Sequence, residues 1–324
     1  MKKIRTPHIL LLCVVAFQFA ITTLIGISDV KFNVTQAILI SQGSILVPFG
    51  LYCVVMRKNP FKVIRLKKIN VLSIFMAFLA AVFSYPVVIF LNLVSMMFVE
   101  NAVAEIIPTV LQQGLLSGLL LMALLPAVVE ETIFRGTLYN TYSKQNPLAG
   151  VFLSALLFGL MHMNFNQVPY AIYVGIIAAL LMEACDSILA PMILHFTMNG
   201  SSLVLAFLTD NLQMDSTVSE TTNIKEAFIE SFKLSAQDMN LQLTEFQIES
   251  MGTFIIIGFL IMFGVIALVA LAFVLIFVYI AFSANKRKPK EVFKKPEVTE
   301  KNRLIDIWVI AFILYAIYEC IKSI

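Results

Sequence analysis

The sequence predicts an all-α, polytopic membrane protein, and three observations support this fold class. Hydrophobic residues fill 60% of the 324 positions, whereas only 13% of the residues are charged. A soluble domain carries about 25% charged residues, and the mean hydropathy of this chain is +0.90. Apolar runs of about 20 residues, the length that crosses a bilayer as a helix, recur along the whole chain.

The apolar runs predict about nine transmembrane spans. They cover roughly residues 8–27, 36–56, 71–98, 109–134, 147–163, 170–184, 188–208, 251–283 and 304–324. Residues 57–68 include six basic and no acidic residues, and residues 286–303 include eight basic and three acidic residues. The positive-inside rule places both loops and the N-terminus in the cytoplasm. The C-terminus is then outside, together with the acidic stretch 209–250, in which residues 224–234 fit an amphipathic surface helix.

Other features of the composition exclude several classes of site. The four cysteines are scattered without CxxC spacing, so neither a zinc finger nor a disulfide framework is predicted. The basic runs are short and adjoin membrane spans, which favours contact with membrane lipids and indicates no nucleic-acid partner.

Three charged residues stand out near the end of the fourth apolar run. Charges in such a segment are costly, about 2.5–3.5 kcal/mol each on insertion scales. Glu131 and Arg135 are four residues apart and share a helix face, so they can form an ion pair. Glu130 points about 100° away and is left available as a general base. The alternative is that all three residues mark the cytoplasmic interface, where charges cost little.

Two histidines lie in later apolar runs, each with a partner four residues away. His162 shares a face with Phe158, and His195 shares a face with Asn199. Taken singly, each residue fits a packing or interhelical role equally well. Taken together, Glu130, both imidazoles and the carboxamide can activate a water and stabilise an oxyanion, as amide hydrolysis requires. A glutamate with two histidines also fits a zinc site with an open position, although no HExxH motif is present.

The three motifs together resemble those of the CPBP family, the CAAX-processing and bacteriocin-processing (Abi) intramembrane proteases. The motifs are Glu130-Glu131-x-x-x-Arg135, Phe158-x-x-x-His162 and His195-x-x-x-Asn199. The resemblance covers about residues 105–208 as a catalytic core. Residues 1–104 form N-terminal transmembrane helices, and residues 209–250 form the acidic external loop. Residues 251–324 form C-terminal transmembrane helices with a basic cytoplasmic loop.

The resemblance implies a role for each motif residue. Glu130 would activate the attacking water with help from His162, and His195 and Asn199 would stabilise the oxyanion. Glu131 and Arg135 would maintain the shape of the site, and Phe158 would pack beside His162. Two mechanisms stay open. One uses a divalent metal such as zinc, held by Glu130, His162 and His195, and the other uses no metal.

The sequence thus predicts an intramembrane endopeptidase of a bacterial cell membrane, with its cavity open to the cytoplasm. The resemblance implies a peptide or protein substrate, either a prenylated CAAX protein or a bacteriocin-like peptide in maturation or self-immunity. A non-catalytic immunity or scaffold protein and a proton-coupled transporter are the alternatives.

Helix geometry puts Glu130 about 7 Å, and His162 about 22 Å, from the cytoplasmic ends of their predicted helices. Because a shared site needs similar depths, the fifth helix either begins outside the bilayer or tilts steeply, and we expect it to begin in the cytoplasm.

Overall fold

The computed structural model describes residues 2–28, 30–101, 106–211, 224–239, 241–294 and 304–322, and these contain helices but no β-strand. The helices are α1 (Lys2–Ile27), α2 (Val34–Val55), α3 (Pro60–Val63), α4 (Val71–Met96), α5 (Ile106–Leu111), α6 (Leu115–Tyr142), α7 (Pro147–Leu160), α8 (Val168–Cys185), α9 (Leu189–Asn211), α10 (Ile224–Asp238), α11 (Glu245–Ala284) and α12 (Ile307–Lys322). The predicted all-α membrane fold is confirmed.

Seven of the described helices are long and apolar enough to cross a membrane. They are α1, α2, α4, α6, α8, α9 and α11. Helix α7 has 14 residues and spans about 21 Å at 1.5 Å per residue, which is less than a hydrocarbon core of about 30 Å. Helix α12 has 16 residues. Each predicted span thus corresponds to a helix, while the number of crossings and their orientation stay predictions.

Side-chain caps explain where several of these helices begin. Asn33 forms a capping box with Gln36 at the start of α2, and Thr244 forms one with Gln247 at the start of α11. A capping box satisfies backbone N–H groups that the first helical turn leaves without partners. The cap at Thr244 starts α11 at Glu245, about two turns before the predicted start of the eighth span.

Helix α6 extends further than the sequence suggested. The fourth span is predicted to end at residue 134 and the fifth to begin at residue 147, but the helix continues to Tyr142. Two π-helical segments, Leu119–Leu124 and Thr132–Tyr139, lie within α6. Residues of the second segment are almost fully buried; for example, Phe134 and Leu138 are at most 1% exposed. Burial of these apolar side chains, together with ion pairing of the buried charge at Arg135, lets the helix continue where a polar loop was expected.

The longer α6 removes the depth conflict. Glu130 lies twelve residues before Tyr142, which is about 18 Å along the helix. His162 lies fifteen residues after Pro147, at about 22 Å. The two side chains therefore reach similar depths without a fifth helix that starts outside the bilayer.

Ionic contacts join the predicted cytoplasmic loops at one end of the bundle. Arg65 donates from Nε to Asn140 Oδ1 at 2.7 Å and from Nη1 to Asp186 Oδ1 at 3.3 Å. Arg287 pairs with Glu183 and lies 3.7 Å from Asp186 Oδ1. The two basic loops, the end of α6 and the turn between α8 and α9 thus meet, as the predicted topology requires. We call this end of the bundle the basic end and the opposite end the far end.

The predicted amphipathic helix is present as α10. It covers Ile224–Asp238 and packs against α11, where the rings of Phe228 and Phe259 lie 5.9 Å apart. Within the acidic stretch, residues 212–223 and residue 240 lie outside the described residues.

Candidate active site

Helices α6, α7 and α9 supply the predicted site residues. Glu130 and Glu131 lie in a short α-helical stretch between the two π-helical segments of α6. Phe158 lies in the last turn of α7, and His162 lies in the turn that follows. His195 lies about two turns into α9. Insertions of π-helix often accompany functional sites because they change the direction in which neighbouring side chains point.

The predicted ion pair between Glu131 and Arg135 is present and fully buried. Arg135 donates from Nη1 to Glu131 Oε1 at 2.9 Å, and both side chains are 0% exposed. The guanidinium also lies over the ring of Phe158, with Cζ 4.3 Å from the ring centroid. Each charge is therefore compensated within a region that excludes water, where an unpaired charge would cost several kcal/mol.

The same carboxylate orients His195. Its Nδ1 lies 2.9 Å from Glu131 Oε1, and a carboxylate paired with an arginine can only accept. Nδ1 therefore donates a proton to Glu131, which directs Nε2 towards Glu130, whose Oε2 lies 4.0 Å away. The sequence predicted the pairing of Glu131 with Arg135, but it did not reveal that His195 lies between the two glutamates.

Glu130 is the glutamate that faces open space. Its side chain is 17% exposed and lines a cavity. Gln42 of α2 donates from Nε2 to Glu130 Oε1 at 3.4 Å. Sequence reasoning missed Gln42, although an amide side chain in the middle of an apolar span was a signal for it.

Phe158 separates the two histidine rings. Its ring packs edge-on against His162 at 5.2 Å and against His195 at 5.8 Å between centroids. His162 Nδ1 lies 3.1 Å from the carbonyl oxygen of Phe158. Since a carbonyl only accepts, Nδ1 is the donor, and Nε2 of the neutral ring is available as an acceptor.

Asn199 connects α9 to the first π-helical segment of α6. Its Nδ2 donates to the carbonyl oxygen of Met122 at 3.0 Å. A carboxamide nitrogen carries two protons, so the second N–H of Asn199 can serve another acceptor in the cavity that it lines.

A cavity of about 470 Å³ brings these side chains together. The predicted catalytic and packing residues on its wall are Glu130, His162, His195, Asn199 and Phe158. Glu131 and Arg135 lie behind this wall, where they are fully buried. All the predicted site residues therefore belong to one region, although they come from three separate sequence motifs.

The cavity lies towards the far end of the bundle. Helix α6 contributes residues 121–130, helix α8 residues 167–174 and helix α9 residues 195–203. In each of these three helices, the residues nearer the basic end do not line the cavity. The charged motif lies in mid-helix and not at the end of α6, and the opening of the cavity to the cytoplasm stays a prediction.

The donor set does not form a three-ligand metal site in this geometry. Among the described residues, no group of three or more His, Cys, Asp or Glu side chains is placed to hold a metal ion. The zinc set considered from the sequence, Glu130 with His162 and His195, thus lacks the convergence that tetrahedral coordination requires. We therefore derive no step through a metal.

Comparisons with known proteins agree with the motif analysis. Residues 112–201 match the family model described as type II CAAX prenyl endopeptidase Rce1-like, and this match falls within the predicted core 105–208. No curated protein and no solved structure matches the chain. The chain therefore contains an Rce1-like type II CAAX prenyl endopeptidase domain over residues 112–201, consistent with the CPBP family.

Proposed function

We propose that this protein is an intramembrane endopeptidase in which Glu130 activates a water for attack on a peptide bond. The observation that carries the proposal is the shared cavity wall, which Glu130 lines together with two histidines and a carboxamide. Fully buried Glu131 and Arg135 fix the neighbouring imidazole. A site with oriented acid, base and hydrogen-bond donors meets the needs of amide hydrolysis.

The reaction can be written with the residues of this cavity alone. Glu130 takes a proton from a water that also donates to His162 Nε2, and the hydroxide attacks the carbonyl carbon. The resulting oxyanion accepts hydrogen bonds from His195 Nε2–H and the second N–H of Asn199. When the C–N bond breaks, Glu130 returns its proton to the leaving amine, which restores the carboxylate.

His195 suits the role of an oxyanion donor because it lies between two carboxylates. Glu131 accepts from Nδ1, and Glu130 lies 4.0 Å from Nε2. The mechanism requires a proton on each ring nitrogen of His195, so that Nδ1 donates to Glu131 while Nε2 donates to the oxyanion. The resemblance further suggests a prenylated protein or a bacteriocin-like peptide as substrate, and both belong to the proposal.

The test compares wild type with Glu130→Gln and His162→Ala in detergent, using a pool of quenched fluorogenic peptides. We expect losses of about 10²–10⁴-fold, the usual contribution of a general base. Glu249→Gln is the matched control, because that carboxylate is exposed on α11 and does not line the cavity. Equal cleavage by wild type and both cavity variants would show that the assigned residues are wrong. Treatment of wild type with a chelator, which should leave cleavage unchanged, tests the mechanism without metal.

A further inference from the structure

We infer that a second pocket, at the basic end of the bundle, binds the phosphate group of an anionic headgroup. This pocket has a volume of about 270 Å³ and shares no lining residue with the active-site cavity. The inference depends neither on the proposed function nor on the side of the membrane that the basic end faces.

The charge of the pocket favours an anion. Three lysines line it, namely Lys58, Lys62 and Lys144. Among the described residues, no aspartate or glutamate lines it. Two acidic residues of the basic end make ion pairs elsewhere, Glu183 with Arg287 and Asp186 with Lys67. The described wall of the pocket thus holds positive charge without a carboxylate, and such a concave surface attracts anions.

The lysines of the pocket come from three different segments of the chain. Lys58 lies in the turn after α2, Lys62 lies in α3, and Lys144 lies two residues after the end of α6. Positive charge that only sets the orientation of a membrane protein can lie anywhere in a loop. Convergence on one pocket requires in addition that the loop folds against α6.

The contact between this loop and α6 is specific. Asn140 donates from Nδ2 to the carbonyl oxygen of Val63 at 2.7 Å, and its Oδ1 accepts from Arg65 Nε at 2.7 Å. A Cβ added at Gly136 would lie 2.8 Å from Cγ2 of Ile64, so the loop approaches α6 as closely as a glycine allows. Both Gly136 and Asn140 line the pocket, which gives it a fixed floor.

Lys58 is held in position before any ligand binds. Arg57 has a φ of 48°, and its N–H donates to the carbonyl oxygen of Val54 at 3.1 Å. The N–H of Lys58 donates to the carbonyl oxygen of Cys53 at 2.8 Å, which completes a Schellman motif at the end of α2. The chain thereby turns back, and Lys58 Nζ donates to Tyr52 Oη at 2.6 Å and lies 4.7 Å from the centre of that ring. An ammonium has three N–H groups, so two are left for a phosphate oxygen.

The surroundings of the pocket favour a lipid as the source of the phosphate. Tyr52 and residues 136–144 lie near the ends of two candidate membrane spans, Val34–Val55 and Leu115–Tyr142. Headgroups lie at this level, at the edge of the hydrocarbon core. Apolar side chains at the end of α2 and in α3 are at least 59% exposed, namely Leu51, Val54, Val55 and Phe61. Acyl chains would cover this apolar surface while the lysines bind the headgroup.

Lipid titration tests the binding. The full chain is kept in uncharged maltoside micelles, and its thermal unfolding midpoint is followed as phosphatidylglycerol is added. We expect a saturable rise, because a ligand that binds the folded state stabilises it, and no comparable rise with phosphatidylcholine or diacylglycerol. Glycerol 3-phosphate distinguishes the source: no effect assigns the phosphate to the lipid, whereas an equal rise assigns it to a soluble ligand, and both results support a phosphate site. Equal effects of phosphatidylglycerol and phosphatidylcholine, or no effect of any phosphate compound, would overturn the inference.

Paired charge variants test the location of the site. The double variant Lys58→Gln with Lys62→Gln should weaken the apparent affinity for phosphatidylglycerol roughly tenfold or more. The matched control, Lys288→Gln with Lys290→Gln, removes the same charge from exposed positions in the other basic loop, which do not line the pocket. It should change the affinity by less than about twofold in 0.15 M salt, which screens exposed charges. An equal loss in both double variants would indicate diffuse attraction and, like an unchanged affinity of the pocket variant, would refute the site.

Discussion

Removal of the charge at Glu131 should destabilise the protein strongly. The Glu131→Gln variant keeps an oxygen that can accept from His195, but it leaves the guanidinium of Arg135 without a counter-charge. In the structure, both side chains of the pair are 0% exposed and Nη1 lies 2.9 Å from Oε1. Two further guanidinium nitrogens, Nε and Nη2, are buried without a hydrogen-bond partner, so the contact with the ring of Phe158 would have to compensate the charge in place of the carboxylate.

The expected magnitude follows from this burial. Removal of one partner of a fully buried ion pair costs about 3–5 kcal/mol of folding free energy. A double variant, Glu131→Gln with Arg135→Met, removes both charges and should recover most of that loss, because an apolar replacement of a buried pair is often neutral. The matched control is Glu319→Gln, which breaks a pair with Lys322 at 3.9 Å whose side chains are 24% and 68% exposed. That change should cost less than about 1 kcal/mol.

The assay is equilibrium unfolding in mixed micelles, followed by tryptophan fluorescence and circular dichroism. Wild type, the two single variants and the double variant are compared at one protein concentration and one pH. If the double variant is no more stable than Glu131→Gln, the loss does not come from an unpaired arginine. If Glu319→Gln is as damaging as Glu131→Gln, burial does not decide the effect. Either result would refute the reasoning.

Two further changes probe packing and the position of the proposed base. Gly175→Ala would place a Cβ 2.9 Å from the Cα of Ala155 and 3.0 Å from a nitrogen of Arg135, so we expect a loss of about 1–3 kcal/mol from overpacking. Gly50→Ala meets no atom within 4 Å and lies inside α2, so it should not lower the unfolding midpoint, because alanine favours a helix more than glycine does. Gln42→Ala should lower kcat by about tenfold with little change in stability, because it removes the N–H that donates to Glu130 at 3.4 Å and one hydrogen bond to a charged group is worth about 1.5 kcal/mol. A change of KM alone would argue against that positioning role.

The sequence predicted the part of the fold that depends on local composition. Long apolar runs gave the helices, and spacing of four residues gave the Glu131–Arg135 pair, because side chains at that distance share one face of a helix. The amphipathic pattern likewise predicted α10, which is present at Ile224–Asp238. Each of these features is determined by residues that are close in the chain.

Features that depend on contacts between helices were not predicted. Helix α6 extends to Tyr142 because neighbouring helices bury its last residues. The sequence alone shows only that these residues precede a polar stretch. The contact between Gln42 and Glu130 joins residues 88 positions apart. The bridging position of His195 depends on the packing of α9 against α6, which no spacing within a single helix encodes. The direction of the cavity depends on these same contacts.

The π-helical segments on both sides of Glu130 have a consequence for how the site tolerates changes of chain length. A π turn contains about one residue more than an α turn, and Thr132–Tyr139 lies between Glu130 and the network around Asn140. Loss of one residue there would restore regular α-helix and rotate everything that precedes it by about 100° relative to the contacts at the basic end. The carboxylate of Glu130 would then point into packed helices and not into the cavity, even though every motif residue would still be present. The extra residue in the widened turns of α6 sets how the helix is rotated about its axis. The site therefore depends on this rotation as much as on the side chains that α6 supplies.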